Sequence, residues 1–331
     1  MGLILKEKIK EPCAWLGADI ANDTSWSYVL GNEHVSAIND ALASAKGAAF
    51  PHLTRDDFPI NAALSQLLAN MSNEMEHGKG FVILRGLPIE QYNDSEIETL
   101  YYGLGLHLGE PVCQNPKGDL LGKVMNVGDI TKKETRVYET NAYLPYHADL
   151  SDVFGLICVR KAKSGGLNSL VSSAAVYNEI LERYPEYLGV YYRPMYYAHL
   201  GEGPWAKAPI FSYHNGKLSC RYLRQYIELG HEMQDRPMSR VEVEALDIFD
   251  SITHDQKTKL DIMLEPGDMM FANNYAVLHS RTSFEDFDDP KQRRKLLRLW
   301  VKMPNARKLA PDFPGQNGFP PPIATAAGCK Q

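Results

Sequence analysis

From Lys123 onward the chain breaks into short apolar runs separated by turn residues: Gly155–Arg160, Ser169–Ser172, Val190–His199, Ile210–Tyr222, Lys259–Leu264, Met269–Ala272, Tyr275–Ser280 and Leu296–Val301. Runs this short, bounded by turn residues, fit buried strands better than free-standing helices. Asn215-Gly216, flanked by Phe211, Tyr213, Leu218 and Tyr222, is a strong hairpin signal, because both turn positions need a left-handed backbone that Asn and Gly tolerate. Two helices interrupt the series, Ala174–Tyr184 before Pro185 and Arg240–Ser251. Many short strands at such spacing predict a sandwich or jelly-roll barrel.

The first 120 residues read differently. Val35, Ile38 and Leu42 recur at helix spacing over Glu33–Ser44, with Gly47 as a stop, and a second helix covers Asn61–Met75. A third starts at Asn93, where Glu96 completes a capping box, and runs to Leu108. Between them Phe81–Leu84, bounded by glycines, predicts a buried strand. After Met303 the chain is rich in proline and predicts an extended surface loop. With no internal repeat and no linker, the expectation is one domain over 1–331: a helix-rich flank over 1–120, a barrel core over 121–303 and a Pro-rich tail over 304–331.

At 44% hydrophobic and 23% charged residues the chain buries a core, which excludes disorder as its main state. A net charge of -6 offers no electrostatic footprint for nucleic acid or an anionic membrane. No stretch approaches the about 18 apolar residues of a membrane-spanning helix, and the N-terminal apolar run is too short for a signal peptide. Five cysteines, Cys13, Cys113, Cys158, Cys220 and Cys329, are scattered singly, which points to reduced thiols and a cytoplasmic location. The expected partner is a small-molecule substrate, with no nucleic acid and no membrane; assembly into a homo-oligomer is left open.

Tyr101–Gly109 carries glycines in a dinucleotide-like pattern but ends a helix, where a phosphate loop must open one; no Walker loop, HExxH or GxSxG is present. The sharper pattern is Leu144-Pro145-Tyr146-His147-Ala148-Asp149. On an extended chain residues two apart share a face, so His147 and Asp149 project together. Downstream, Leu264–Arg281 reads as turn, strand, turn, strand, with His279 on the second strand. Two histidines and a carboxylate make the facial triad of non-haem Fe(II) oxygenases, which leaves three coordination positions open. The bland alternative is a surface pair and a hydrogen-bonded core histidine. A second feature weighs against it: positions 294, 296, 298 and 300 share one strand face, so Arg294 and Arg298 line up beside Leu296 and Trp300. Buried guanidiniums want anions, whereas an edge strand would leave them solvated.

Together with Pro12–Gly17, Gly80–Leu87 and Gly165-Gly166, these residues resemble, in order and spacing, the taurine dioxygenase (TauD/TfdA-like) branch of the Fe(II)/2-oxoglutarate-dependent dioxygenases, over most of the chain. The resemblance implies a double-stranded β-helix, a jelly-roll or cupin-like barrel, mainly β with flanking helices and a helical N-terminal third. It implies that His147, Asp149 and His279 bind Fe(II), that Arg294 pairs with the distal carboxylate of 2-oxoglutarate, and that O2 is the oxidant. The family's threonine after the glycine pair corresponds here to Ser169, with Asn168 as competitor because this chain is one residue longer. Arg298 matches the arginine that faces the substrate's anion. The implied reaction oxidises an unactivated C–H bond of a small, carboxylate-bearing, amino-acid-like substrate by hydroxylation, desaturation or ring closure, releasing succinate and CO2.

Two rivals remain at this level: a cupin-like metalloenzyme with non-oxidative chemistry, which has no need of Arg294, and a non-catalytic barrel binding protein, against which an intact triad speaks. Tyr143, Tyr146, Phe154, Asn126 and Trp205 are pocket candidates, although aromatic residues near a barrel mouth are more often ordinary packing.

Overall fold

The structure, a computed structural model, describes residues 4–128, 137–198, 206–313, 315, 318 and 319. Two sheets dominate. The larger has seven strands, ordered Ser27–Val29, Phe81–Arg85, Met269–Asn273, Val153–Arg160, Lys295–Lys302 and Glu110–Pro111, with Leu121–Val124 also pairing to Lys295–Lys302. The smaller has four, ordered Lys259–Ile262, Asn168–Ser172, Val277–Arg281 and Leu144–His147. Pro145 sits in the last of these, an edge strand, where a missing N–H costs no ladder bond.

Strand alternation decides what lies between the sheets. Phe154, Leu156 and Cys158 of the large sheet share one buried cluster with Leu170, Leu260, Ile262 and Val277 of the small one. Their neighbours Val153, Ile157 and Val159 point the other way, into a cluster with the helices Asn32–Ser44, Ala62–His77 and Asp94–Leu108. On the far side of the small sheet, Val171 and Leu278 pack against the helices Ser173–Arg183, Arg224–Met233 and Arg240–His254. Each sheet therefore shows one face to its partner and one to helices. Lys295–Lys302 is an interior strand, paired on both sides, so Arg298 within it and Arg294 just before it do not belong to a solvated edge.

Several local expectations reappear with small shifts of boundary. The Asn93 side chain accepts from the N–H groups of Ser95 and Glu96, and Glu96 bonds back to the Asn93 N–H, a cap that contributes about 1 kcal/mol. Asn215 and Gly216 both take positive φ, 48° and 78°, in the hairpin that joins Phe211–His214 to Lys217–Cys220.

Other expectations are corrected. The first 120 residues are not simply helical: besides the expected strand at Phe81–Arg85, the strands Ser27–Val29 and Glu110–Pro111 join the large sheet. The run Val190–His199, expected as one strand, opens with the helical turn Leu188–Tyr191 and continues as the short strand Met195–Tyr197. There the Tyr191 hydroxyl donates to the Ala245 carbonyl, and an apolar run alone does not separate a buried turn from a strand. The helix Arg224–Met233 carries no strong signal because Gly230 lowers its propensity; a Cβ there would stand 2.6 Å from the Tyr196 backbone. Ala310 and Phe313 pack on Tyr275, while the end of the Pro-rich tail, like Trp205, lies outside the described residues.

Candidate active site

His147 and His279 face each other across neighbouring antiparallel strands, in register, with ring centroids 4.1 Å apart. The chain leaves the sheet after His147: the Ala148 N–H donates to the Tyr222 carbonyl at 3.0 Å, and the Asp149 N–H to Asn274 Oδ1 at 3.0 Å. Asn274 is itself held, since its Nδ2 donates to the Ser151 carbonyl at 2.9 Å. The result is a triad whose ligand atoms all lie within 4.8 Å of one another, the one such group of three or more among the described residues. Nε2 of each histidine stands 3.9 Å from an Asp149 oxygen.

The protonation states suit a divalent cation. His147 Nδ1 lies 2.8 Å from the Pro145 carbonyl, which can only accept, so the proton sits on Nδ1 and Nε2 keeps its lone pair. His279 stacks on Phe154 at 3.9 Å. Burial pushes both imidazoles below the usual histidine range, His279 well below it. Burial opposes the charge on Asp149, but its neighbours, Arg298 foremost, hold the carboxyl below the ordinary range. Two neutral imidazoles and one carboxylate form the donor set that the triad chemistry requires.

Arg298 and Arg294 both lie inside, yet they differ in partners. Arg298 Nη1 reaches Asp149 Oδ1 at 3.3 Å, beside the Trp300 Nε1–H bond to Oδ2 at 2.8 Å. Its Nε donates to Gln114 Oε1 at 2.8 Å, and Gln114 returns a bond to the Arg298 carbonyl at 2.7 Å. Arg294 is 3% exposed, its guanidinium lies 5.0 Å from the Phe284 ring centroid, and its Nη1 is buried without a hydrogen-bond partner among the described residues. Burial pushes it down to about 10. Gly165 and Gly166, with φ of 73° and 74°, turn the chain beside it; a Cβ on Gly166 would stand 3.2 Å from Arg294 Nε.

Ser169 does not share the Arg294 side, which corrects the expectation. Its hydroxyl donates to Asp261 Oδ1 at 2.5 Å and lies 2.6 Å from the Tyr146 hydroxyl. Alternation places it with Val171 on the helix-covered face, whereas Asn168 falls with Leu170 on the inner face and lines a small crevice with Arg294.

A cavity opens beside the triad, lined on its far walls by Tyr138, Tyr197, Arg221, Tyr222 and Tyr226. Of the expected pocket residues, Phe154 stacks on His279, Tyr146 faces outward to Ser169, and Tyr143 is 42% exposed with its hydroxyl against His254. Gln114, Asn274 and Arg281 were not anticipated. Only Arg281 had a signal, since it follows His279 by two residues and so faces the same way; burial first, then the nearby Arg294, push its guanidinium down to about 9.

Fold and site together define a non-haem iron oxygenase built on facing sheets. The chain belongs to the taurine catabolism dioxygenase TauD, TfdA family, whose model matches residues 16–300. It is 34% identical over 318 residues to FR-33289 synthase of Streptomyces rubellomurinus (strain ATCC 31215), covering 92% of this chain and 94% of that protein. Among solved structures it is similar to an asparagine oxygenase in complex with Fe(II), 2S,3S-3-hydroxyasparagine and succinate, with TM-score 0.68, 18% identity and coverage of 84% and 93%. It is also similar to the non-haem iron oxygenase OrfP in complex with Fe, succinate and (3S)-hydroxy-L-Arg, with TM-score 0.61, 16% identity and coverage of 83% and 94%. These oxygenases have the double-stranded β-helix fold. The protein is an Fe(II)/2-oxoglutarate-dependent dioxygenase that uses O2, and neither rival reading is favoured.

Proposed function

We propose that His147, Asp149 and His279 hold the Fe(II), that Arg294 and Asn168 receive the distal carboxylate of 2-oxoglutarate, and that the tyrosine-lined cavity takes a small, carboxylate-bearing, amino-acid-like substrate. The observation that carries this is the triad, its ligand atoms within 4.8 Å, in the same interior as a buried Arg294 whose Nη1 has no partner among the described residues. When bound, the iron with 2-oxoglutarate and O2 supplies the oxidising power that breaks an unactivated C–H bond, with succinate and CO2 released.

The chain's own residues do the rest. The two histidines and Asp149 would hold the Fe(II) beside the cavity, which His147 and Asp149 help to line. Arg298 and Trp300 fix the Asp149 carboxylate by hydrogen bonds, and Asn274 fixes its backbone. Arg298 also lines the cavity, and we assign it the substrate's anion, the role expected from the sequence. The aromatic walls exclude water from the reacting bond and hold the substrate beside the metal without ligating it. Hydroxylation, desaturation and ring closure are all outcomes of breaking that C–H bond. We read the enzyme as a single domain acting in the cytoplasm; the N-terminal strands in the large sheet support the first part.

A panel of amino acids and small carboxylates, scored for substrate-stimulated succinate release in the presence of Fe(II), tests the reading. Stimulation by an amino-acid-like carboxylate supports it; stimulation only by neutral, hydrocarbon-like compounds overturns the substrate class.

A further inference from the structure

Arg281 is a further buried guanidinium inside the barrel, beside Arg294 and Arg298, and the roles assigned so far have no use for it. It follows His279 by two residues on the strand Val277–Arg281, so both side chains project from the inner face that Val277 shares. In the register of the small sheet it pairs with Asn168, which lines the crevice beside Arg294. It is 3% exposed and has no carboxylate within ion-pair distance among the described residues. Its Nη2 donates to the carbonyls of Thr140 and Ala142, whereas Nε and Nη1 are buried without a hydrogen-bond partner among the described residues. Arg294 lies nearby in the same condition, 3% exposed with an Nη1 that has no partner among the described residues. The two guanidiniums share one aromatic neighbour, lying 4.8 Å (Arg281) and 5.0 Å (Arg294) from the Phe284 ring centroid.

Burying one uncompensated cation is costly, and burying a second beside it adds their mutual repulsion. A loop-pinning role accounts for Nη2 alone. The remaining N–H groups call for an anion with several acceptor oxygens, presented at the Asn168 end of the interior, away from the triad.

We propose that Arg281 is a second co-substrate arginine, forming with Arg294 and Asn168 a two-guanidinium pocket for the distal carboxylate of 2-oxoglutarate. This rests on the dioxygenase reading. The pocket makes the preference for a dicarboxylate steeper than one arginine would, because the 2-oxo acid lacking the distal carboxylate leaves two buried cations unpaired instead of one.

The test is calorimetric titration of the Fe(II)-loaded enzyme without O2, using 2-oxoglutarate and 2-oxovalerate, which lacks the distal carboxylate. Arg281→Met should weaken 2-oxoglutarate about tenfold or more while leaving 2-oxovalerate nearly unchanged, so that the ratio of the two affinities collapses. Arg281→Lys, which keeps the charge but loses the fork, should fall between wild type and Arg281→Met, and it carries the test alone if Arg281→Met does not fold. Either variant binding 2-oxoglutarate as tightly as wild type overturns the proposal. Equal loss of both ligands also overturns it and assigns Arg281 to the Thr140–Ala142 loop only. A wild-type enzyme that binds no 2-oxoglutarate refutes the underlying reading instead.

Discussion

Asn274 Oδ1 accepts the backbone N–H of Asp149 at 3.0 Å, and this bond holds the backbone that carries the proposed carboxylate ligand after the chain has left the sheet. Asn274 is 1% exposed and sits in the turn that leads into the strand bearing His279, so one side chain links the two ligand-bearing segments. Outer partners of this kind typically change metal affinity about 10–100-fold. Asn274→Ala should therefore lower Fe(II) affinity by about that factor while the fold persists. Wild-type iron affinity in that variant, measured by metal titration, would show that the Asp149 position is set elsewhere.

The triad itself is less forgiving. Removing one of three ligands leaves a weak site with misdirected open positions, so His147→Ala or His279→Ala should abolish succinate formation and iron retention together. Stoichiometric iron with full turnover in either variant would end the assignment.

Arg294 and Asn168 make a paired prediction. Arg294→Lys should raise the KM for 2-oxoglutarate, and Arg294→Ala should be nearly inactive, since truncating a buried partner of a charge costs about 2–5 kcal/mol. Asn168→Ala should also weaken 2-oxoglutarate, whereas Ser169→Ala should leave its KM unchanged because that hydroxyl is engaged by Asp261 and Tyr146. Should Arg294→Ala saturate like wild type, Arg281 is the replacement to examine, not Arg293, whose guanidinium lies against the carbonyls of Phe287 and Asp288.

Arg298 has two duties to separate. If its substrate role dominates, Arg298→Gln weakens primary-substrate binding while 2-oxoglutarate affinity and uncoupled decarboxylation remain. Because it also bonds Asp149 at 3.3 Å, we expect some loss of Fe(II) affinity in the same variant. Unchanged substrate binding with loss of iron alone would leave Arg298 as an anchor for Asp149 and no more.

Wherever the backbone stays extended, alternation by two carries from sequence to structure without further information. It turns Arg294 and Arg298 inward with Leu296 and Trp300 and reaches Arg281 two residues past His279, whereas Asp149 joins His147 only after the chain has left the sheet. The same local logic marks the Asn93 cap and the Asn215-Gly216 turn, whose chemistry depends on only a few adjacent residues.

What lies beyond local geometry was decided in three dimensions. Gly165 and Gly166 both take positive φ, which interrupts the count by two, so no counting along the chain could say whether Asn168 or Ser169 faces inward. Only strand pairing brings His279 opposite His147, since a register belongs to two strands and not to one. The Asn274 and Gln114 bonds join segments far apart in sequence, and an amide's partners are chosen by what packing delivers to it. Thus the residue types and their faces are properties of the chain, while the closed site is a property of the pairing of two sheets, because metal and carboxylate recognition needs side chains that only the folded barrel brings within hydrogen-bonding reach.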